Sequence, residues 1–349
     1  MVKSILKLIL PVSIWNILSS LKRTKILVGK LIYASLPKAI ALFPHRVYRL
    51  LFFDDCPNWQ KLSTRTIYRF REFLNKKNLP YISSQDRDIV NGIIKDGVYL
   101  TSLNQIGFEK TDNFRNLASQ LFEDTLNYFK VPPTHLGGLF TPEKFTLRPP
   151  VEYILEKYPE IYRFALNERL VSVAQHYIGA PACLLDVDFK IDLPGGNDIG
   201  SKLWHYDEMN YKILKIFIYF SNVTKSNPAF EYISSKSSLD IKERIFKEDE
   251  VYNLTERKNI VRVEAPAESV LFLGVDRILH HISIPTHNEE KAPRKAVVFH
   301  YLSQKVPSEC ERLRNGAAVR WGTDKAKKLL KDFAKTLPEE TRKYLYIHS

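Results

Sequence analysis

The chain has 349 residues, 44% of them hydrophobic and 26% charged, and carries a formal net charge of +13. That length and composition suit one substantial globular core with an appendage, not a disordered or fibrous chain. Nine of the excess positive charges fall within residues 1–50, which hold no acidic residue, so the rest of the chain carries only +4, which argues against nucleic acid as a partner because phosphate contact needs a concentrated basic surface.

The basic N-terminal segment is also apolar, and residues 8–21 are uninterrupted by charge. Fourteen residues fall short of the roughly 20 that a membrane-crossing helix needs, and Pro11 interrupts them. Peripheral contact with an anionic membrane surface through residues 1–50, anchored by Trp15, is one expectation. A helical hairpin capping the main body and a leader segment are the others. Cys56, Cys183 and Cys310 are far apart and form no C-x-x-C pair. A reducing compartment fits them, cytoplasmic or at a membrane surface. The expected organisation is an N-terminal segment at 1–60 and a main domain at 61–349.

Along the main domain, residues 62–75 and 85–95 read as helices, the second ended by Asp96-Gly97. Residues 114–130 and 159–178 have apolar side chains near a 3.6-residue period, and Gly179-Ala180-Pro181 stops the latter. From Cys183 onward the pattern changes to short β-branched and aromatic runs, giving strands at 184–192, 212–220, 230–233, 260–263, 269–273 and 294–302. Residues 236–258 read as a charged, exposed insertion. Helices first and strands afterwards predict an α+β, mainly β domain, a helical layer on a β-core at about 183–302.

The chemistry concentrates in that β-region. His205-Tyr206-Asp207 precedes an alternating apolar run, and His280-His281 follows downstream. An H-x-D pair and one distant histidine can make three facial bonds to iron while leaving other positions open. Successive strand residues point to opposite faces, so only one of His280 and His281 can join such a site from a regular strand.

The segment from Trp204-His205-Tyr206-Asp207 through Ile216-Phe217-Ile218-Tyr219-Phe220 to Asn227-Pro228 resembles the phytanoyl-CoA dioxygenase-like family of Fe(II)/2-oxoglutarate oxygenases. Ile93-Ile94-Lys95-Asp96-Gly97-Val98 is similar to that family's opening helix and first strand, and His280-His281-Ile282-Ser283 to its third-ligand segment. Ser234-Ser235-Lys236-Ser237 departs from the family's P-G-S-H motif. The likeness spans residues 85–302, patchily between these anchors.

The resemblance implies a double-stranded β-helix, or jelly roll, that binds Fe(II), 2-oxoglutarate and O2. It implies His205, Asp207 and His281 as metal ligands, with His280 the alternative, and Arg294 pairing with the distal carboxylate of 2-oxoglutarate, which a guanidinium fork suits. Ser283 shares the face of His281 and could donate to a 2-oxoglutarate carboxylate. Lys215 and Tyr219 would add contacts if their strand face points into the barrel. The implied activity is hydroxylation of a small-molecule or lipid-linked substrate, with succinate and CO2 as co-products. The alternatives are a non-catalytic jelly-roll binding protein and a membrane-peripheral scaffold.

Overall fold

The structure, a computed structural model, describes residues 74–75, 77–108, 111–129, 146–194, 202–207, 212–234, 245–285, 292–304 and 323–346. The chain divides into two units, Met1–Phe70 and Arg71–Ser349, and every described residue lies in the second. The basic apolar segment, nearly all of the helix expected at 62–75, Cys56 and Cys310 fall outside the described residues. Among the described residues no helix is long and apolar enough to cross a membrane.

Helix α1 (Ser84–Asp96) starts at Ser83, whose hydroxyl accepts from the Asp86 amide, and ends at Gly97. Gly97 has φ +84°, and a Cβ there would lie 2.2 Å from Ile278 Cγ2, so both backbone and packing require glycine. The chain then enters β1 (Val98–Ser102), followed by α2 (Leu103–Ile106), α3 (Thr111–Phe129) and the short β2 (Thr146–Leu147). Next come α4 (Val151–Lys157), α5 (Pro159–Ala165) and α6 (Glu168–Ile178). The helix expected at 159–178 is thus two, because Asn167 accepts from the Arg169 amide and starts a new helix after Leu166.

Nine strands follow: β3 (Ala182–Asp192), β4 (Trp204–His205), β5 (Leu214–Tyr219), β6 (Phe230–Ile233), β7 (Ile245–Phe246), β8 (Ile260–Val263), β9 (Ser269–Gly274), β10 (Leu279–Ile282) and β11 (Arg294–Ser303). They join β1 and β2 in two antiparallel sheets, of order β1-β9-β5-β11-β3-β2 and β7-β4-β10-β6-β8. The result is the expected α+β jelly roll.

Alternation along the strands assigns the two faces of the larger sheet. Val187, Phe189, Ile216, Ile218, Phe272, Val297 and Phe299 pack with Phe114, Leu121 and Phe122 of α3 and with Leu170 of α6. Their neighbours Phe217, Tyr219, Leu271, Leu273, Ala296 and Val298 pack instead with Phe230, Val263 and Ile282 of the second sheet. The helical layer therefore covers one side, and the other side faces the jelly-roll interior.

Two regions differ from expectation. Part of the presumed insertion at 236–258 is structured: β7 pairs with β4, and α7 (Glu248–Leu254) buries Val251 completely. Past the last expected strand, α8 (Asp324–Lys335) packs on α4 and buries Ala326, Leu330, Phe333 and Ala334, with Phe333 edge-on to Tyr162 of α5, and α9 (Glu339–Arg342) follows.

Candidate metal centre

His205 and His280 are directly opposed residues on the antiparallel pair β4 and β10, with ring centroids 4.5 Å apart. Asp207, two residues beyond His205, lies on the same side and completes a cluster whose ligating atoms all lie within 4.8 Å of one another. Its two carboxylate oxygens each sit 3.9 Å from one imidazole, Oδ1 from His205 Nε2 and Oδ2 from His280 Nε2.

Local hydrogen bonds aim the rings. His205 Nδ1 lies 2.7 Å from the Leu203 carbonyl and His280 Nδ1 3.1 Å from the Ile278 carbonyl. A carbonyl only accepts, so each Nδ1 carries the proton and each Nε2 presents a lone pair to Asp207. Burial lowers the pKa of both histidines against the pull of Asp207, that of His280 to about 3. Burial alone would raise the Asp207 pKa, but the Lys215 ammonium, with His280 and His205, outweighs it and holds the carboxyl well below its ordinary range. Two neutral imidazoles and one carboxylate are the protonation state that a divalent metal requires.

His281 points the other way. Its ring stacks on Trp204 at 4.0 Å and 22°, Nδ1 faces the Lys202 carbonyl at 3.0 Å, and Nε2 faces Glu231 Oε2 at 3.1 Å. Glu231 also receives Arg262 at 2.7 Å. The structure thus brings His280, rather than the expected His281, to His205 and Asp207, and both nitrogens of His281 are engaged elsewhere. Ser283 belongs to the same outer network, bonded to the Ala229 backbone and to Arg262.

Lys215 and Tyr219 lie on the β5 face that looks into the barrel, with Phe217 between them. Lys215 Nζ is 2.6 Å from Asp207 Oδ2. Arg294 is fully buried at the head of β11, where Nε and Nη2 donate to Asp192 Oδ2 at 3.1 and 2.6 Å. The guanidinium lies over the Tyr219 ring at 5.7 Å. Arg294 and Tyr219 act on one another inside the barrel, but Arg294 Nη1 and the Tyr219 hydroxyl are buried without a hydrogen bond of good geometry among the described residues. A buried donor left this way costs about 1–3 kcal/mol, so the pair fits an incoming carboxylate. Sequence reading missed Asp192, although its place opposite Arg294 follows from the pairing of β3 with β11.

No family model matches the chain, and no curated protein matches it. Among solved structures it is similar to the epimerase SnoN in complex with Fe3+, alpha ketoglutarate and nogalamycin RO, at 12% identity and a TM-score of 0.43, covering 63% of this chain and 84% of that one. It is also similar to EctD from S. alaskensis with 2-oxoglutarate and 5-hydroxyectoine, at 16% identity and a TM-score of 0.43, covering 64% of this chain and 76% of that one. HygX from Streptomyces hygroscopicus, with nickel, 2-oxoglutarate and hygromycin B bound, is similar at 16% identity and a TM-score of 0.41, covering 62% of this chain and 87% of that one.

Proposed function

We propose that this chain is an Fe(II)/2-oxoglutarate-dependent oxygenase that hydroxylates a small-molecule or lipid-linked substrate. The observation that carries the reading is the His205–Asp207–His280 cluster, two neutral imidazoles and one ionised carboxylate converging on one face of a jelly roll. In this reading His280 is the third ligand, and His281 orients it from the opposite face. Arg294 Nη1 and the Tyr219 hydroxyl receive the distal carboxylate of the cosubstrate. Iron, 2-oxoglutarate and O2 together would supply the chemistry: O2 would be the oxidant, one oxygen atom going to succinate as 2-oxoglutarate loses CO2 and the other to an unactivated C–H bond of the substrate as a hydroxyl group. The chain's own residues hold the triad in its ligating protonation state and keep the cosubstrate's far end in a dry, charged recess. Lys215 is a further contact for a cosubstrate carboxylate once it releases Asp207.

One observation favours a second reading, a jelly-roll binding protein that takes no metal: the Lys215 ammonium is seated on the Asp207 carboxylate that would ligate the iron. Anaerobic titration with Fe(II) and 2-oxoglutarate separates the two through the visible metal-to-ligand charge-transfer band. The oxygenase reading expects a band in wild type that is abolished in His205→Ala and His280→Ala and kept, with weaker metal affinity, in His281→Ala. No band and no bound iron in folded wild type would instead establish the metal-free reading.

A further inference from the structure

The helical layer holds a cavity of about 260 Å³ between the C-terminal turns of α3 and the start of α4. Asp124, Thr125 and Tyr128 of α3 form one wall, and Pro149, Pro150 and Tyr153 form the other. Asp124 and Tyr128 stand one helical turn apart and so share a face. The Thr125 hydroxyl is spent on the Leu121 carbonyl at 2.6 Å. Among the described residues Asp124 is the charged group of the lining. Helix α3 packs through Phe114, Leu121 and Phe122 on the outer face of the larger sheet, whereas Lys215 and Asp207 meet on its inner side, so the cavity is separate from the metal centre.

The charge on Asp124 is held in place without being neutralised. Tyr153 donates to Oδ2 at 2.9 Å, and Tyr158 donates to the same oxygen. The bond to Asp124 raises the Tyr153 pKa, and burial together with that bond raises the Tyr158 pKa. Both hydroxyls therefore keep their protons and act as neutral donors, which favour the ionised carboxyl and leave its charge intact. Among the described residues Asp124 has no lysine, arginine or histidine partner, and its Oδ1 accepts from neither tyrosine. The end of α3 adds to the negative potential. This 19-residue helix has no basic residue in its last turn, so its own side chains leave the negative end of its dipole uncompensated beside the cavity.

A cation fits this cavity, and the walls make it an organic one. A water molecule's share of liquid volume is about 30 Å³, so the space takes a ligand of several heavy atoms. One carboxylate and two neutral hydroxyls bound to it fall short of the roughly six to eight oxygens that a calcium ion takes. Tyrosine faces and prolines instead suit alkyl groups, and the negative face of an aromatic ring attracts a charged nitrogen. We propose that the cavity binds a small organic ammonium ion, whose N–H group donates to Asp124 Oδ1 while its alkyl part lies between Tyr128, Tyr153 and the Pro149-Pro150 pair. The inference is independent of the oxygenase reading and holds whether or not the triad takes iron.

The test is ligand-observed NMR titration of the full chain with n-butylammonium and with 1-butanol, its uncharged match in heavy atoms, with melting curves to confirm folding. The formal net charge of +13 works against diffuse attraction of cations, so a preference for the ammonium reports a local site. Wild type should prefer n-butylammonium by about tenfold or more, the size of one charge-assisted hydrogen bond. Asp124→Asn keeps an oxygen acceptor for the tyrosines and removes the charge. It should lose that preference and leave 1-butanol binding unchanged, whereas a packing defect would weaken both ligands together. Tyr128→Ala, at a ring that is 40% exposed, should lower the ratio about threefold through the lost cation–π contact, and it decides the matter should Asp124→Asn not fold. No preference in wild type, or a preference that both variants leave intact, overturns the inference.

Discussion

Lys215 holds Asp207 at 2.6 Å, so an incoming divalent ion must compete with an ammonium for the same carboxylate. Replacing it with methionine removes the competitor and keeps the aliphatic stem. Lys215→Met should therefore tighten metal binding by about tenfold, the worth of one charge-assisted contact, while weakening 2-oxoglutarate if Lys215 contacts the cosubstrate. Competition against a fluorescent chelator would read the first effect, and weaker metal binding would show that the ammonium organises the site instead. Asp276 gives a second test. Burial raises its pKa to about 6, above the unfolded value near 3.8, although Tyr177 donates to it at 2.8 Å. The neutral form is the one favoured in the fold, so its stabilisation is complete below about pH 4 and is lost as pH rises through about 6. The shift corresponds to about 3 kcal/mol. Thermal melts of Asp276→Asn and wild type should differ most above pH 6, with the variant the more stable, and converge below pH 4. A pH-independent difference would assign the effect to packing.

At the scale of elements, the turn from α1 into β1 depends on Gly97. Gly97→Ala would place a Cβ 2.2 Å from Ile278 Cγ2 and hold alanine at φ +84°. The left-handed backbone alone costs about 1–2 kcal/mol, and the overlap adds to it, so urea denaturation should show a loss above about 2 kcal/mol. A smaller loss would mean that β10, whose register begins just after Ile278, shifts to make room. The Asp96-Gly97 punctuation was readable because local chemistry alone ends that helix. The same holds for β6 and β8, whose apolar runs match their observed limits. By contrast, the choice between His280 and His281 was not legible. Both are compatible with an alternating strand, and the facing one is decided by pairing with β4, a long-range contact that places Trp204 and Glu231 around His281. The break at Asn167 was missed because apolar spacing continues across it, while one side-chain cap outweighs that pattern. Residues 245–246 were hidden for a related reason: two residues give no periodicity, and only β4 makes them a strand.

For the described unit as a whole, one face of the larger sheet is given to apolar packing and the other combines apolar packing with the chemistry. The face toward the helices is filled by aromatic side chains, with Phe114 stacked on Phe164 at 4.0 Å and 7° and in contact with Phe220 and Phe299. The opposite face also carries Arg294, Lys215 and Lys190, paired with Asp192, Asp207 and Asp188, and the buried Tyr219 beneath the guanidinium. Burying charge rarely improves on apolar packing and breaking a buried pair is costly, so the helical layer and the apolar interior residues Phe217, Leu271, Leu273 and Val298 have to offset it. Truncating Phe114 tests this division. Phe114→Ala empties a site that is only 2% exposed, and large aromatic deletions of this kind cost about 3–5 kcal/mol. Chemical denaturation should show a loss in that range, whereas the metal and cosubstrate affinities of the folded fraction should stay within about twofold of wild type, because independent sites separated by a sheet add without coupling. Loss of metal affinity in folded Phe114→Ala would show instead that the helices set the geometry of the triad through the sheet.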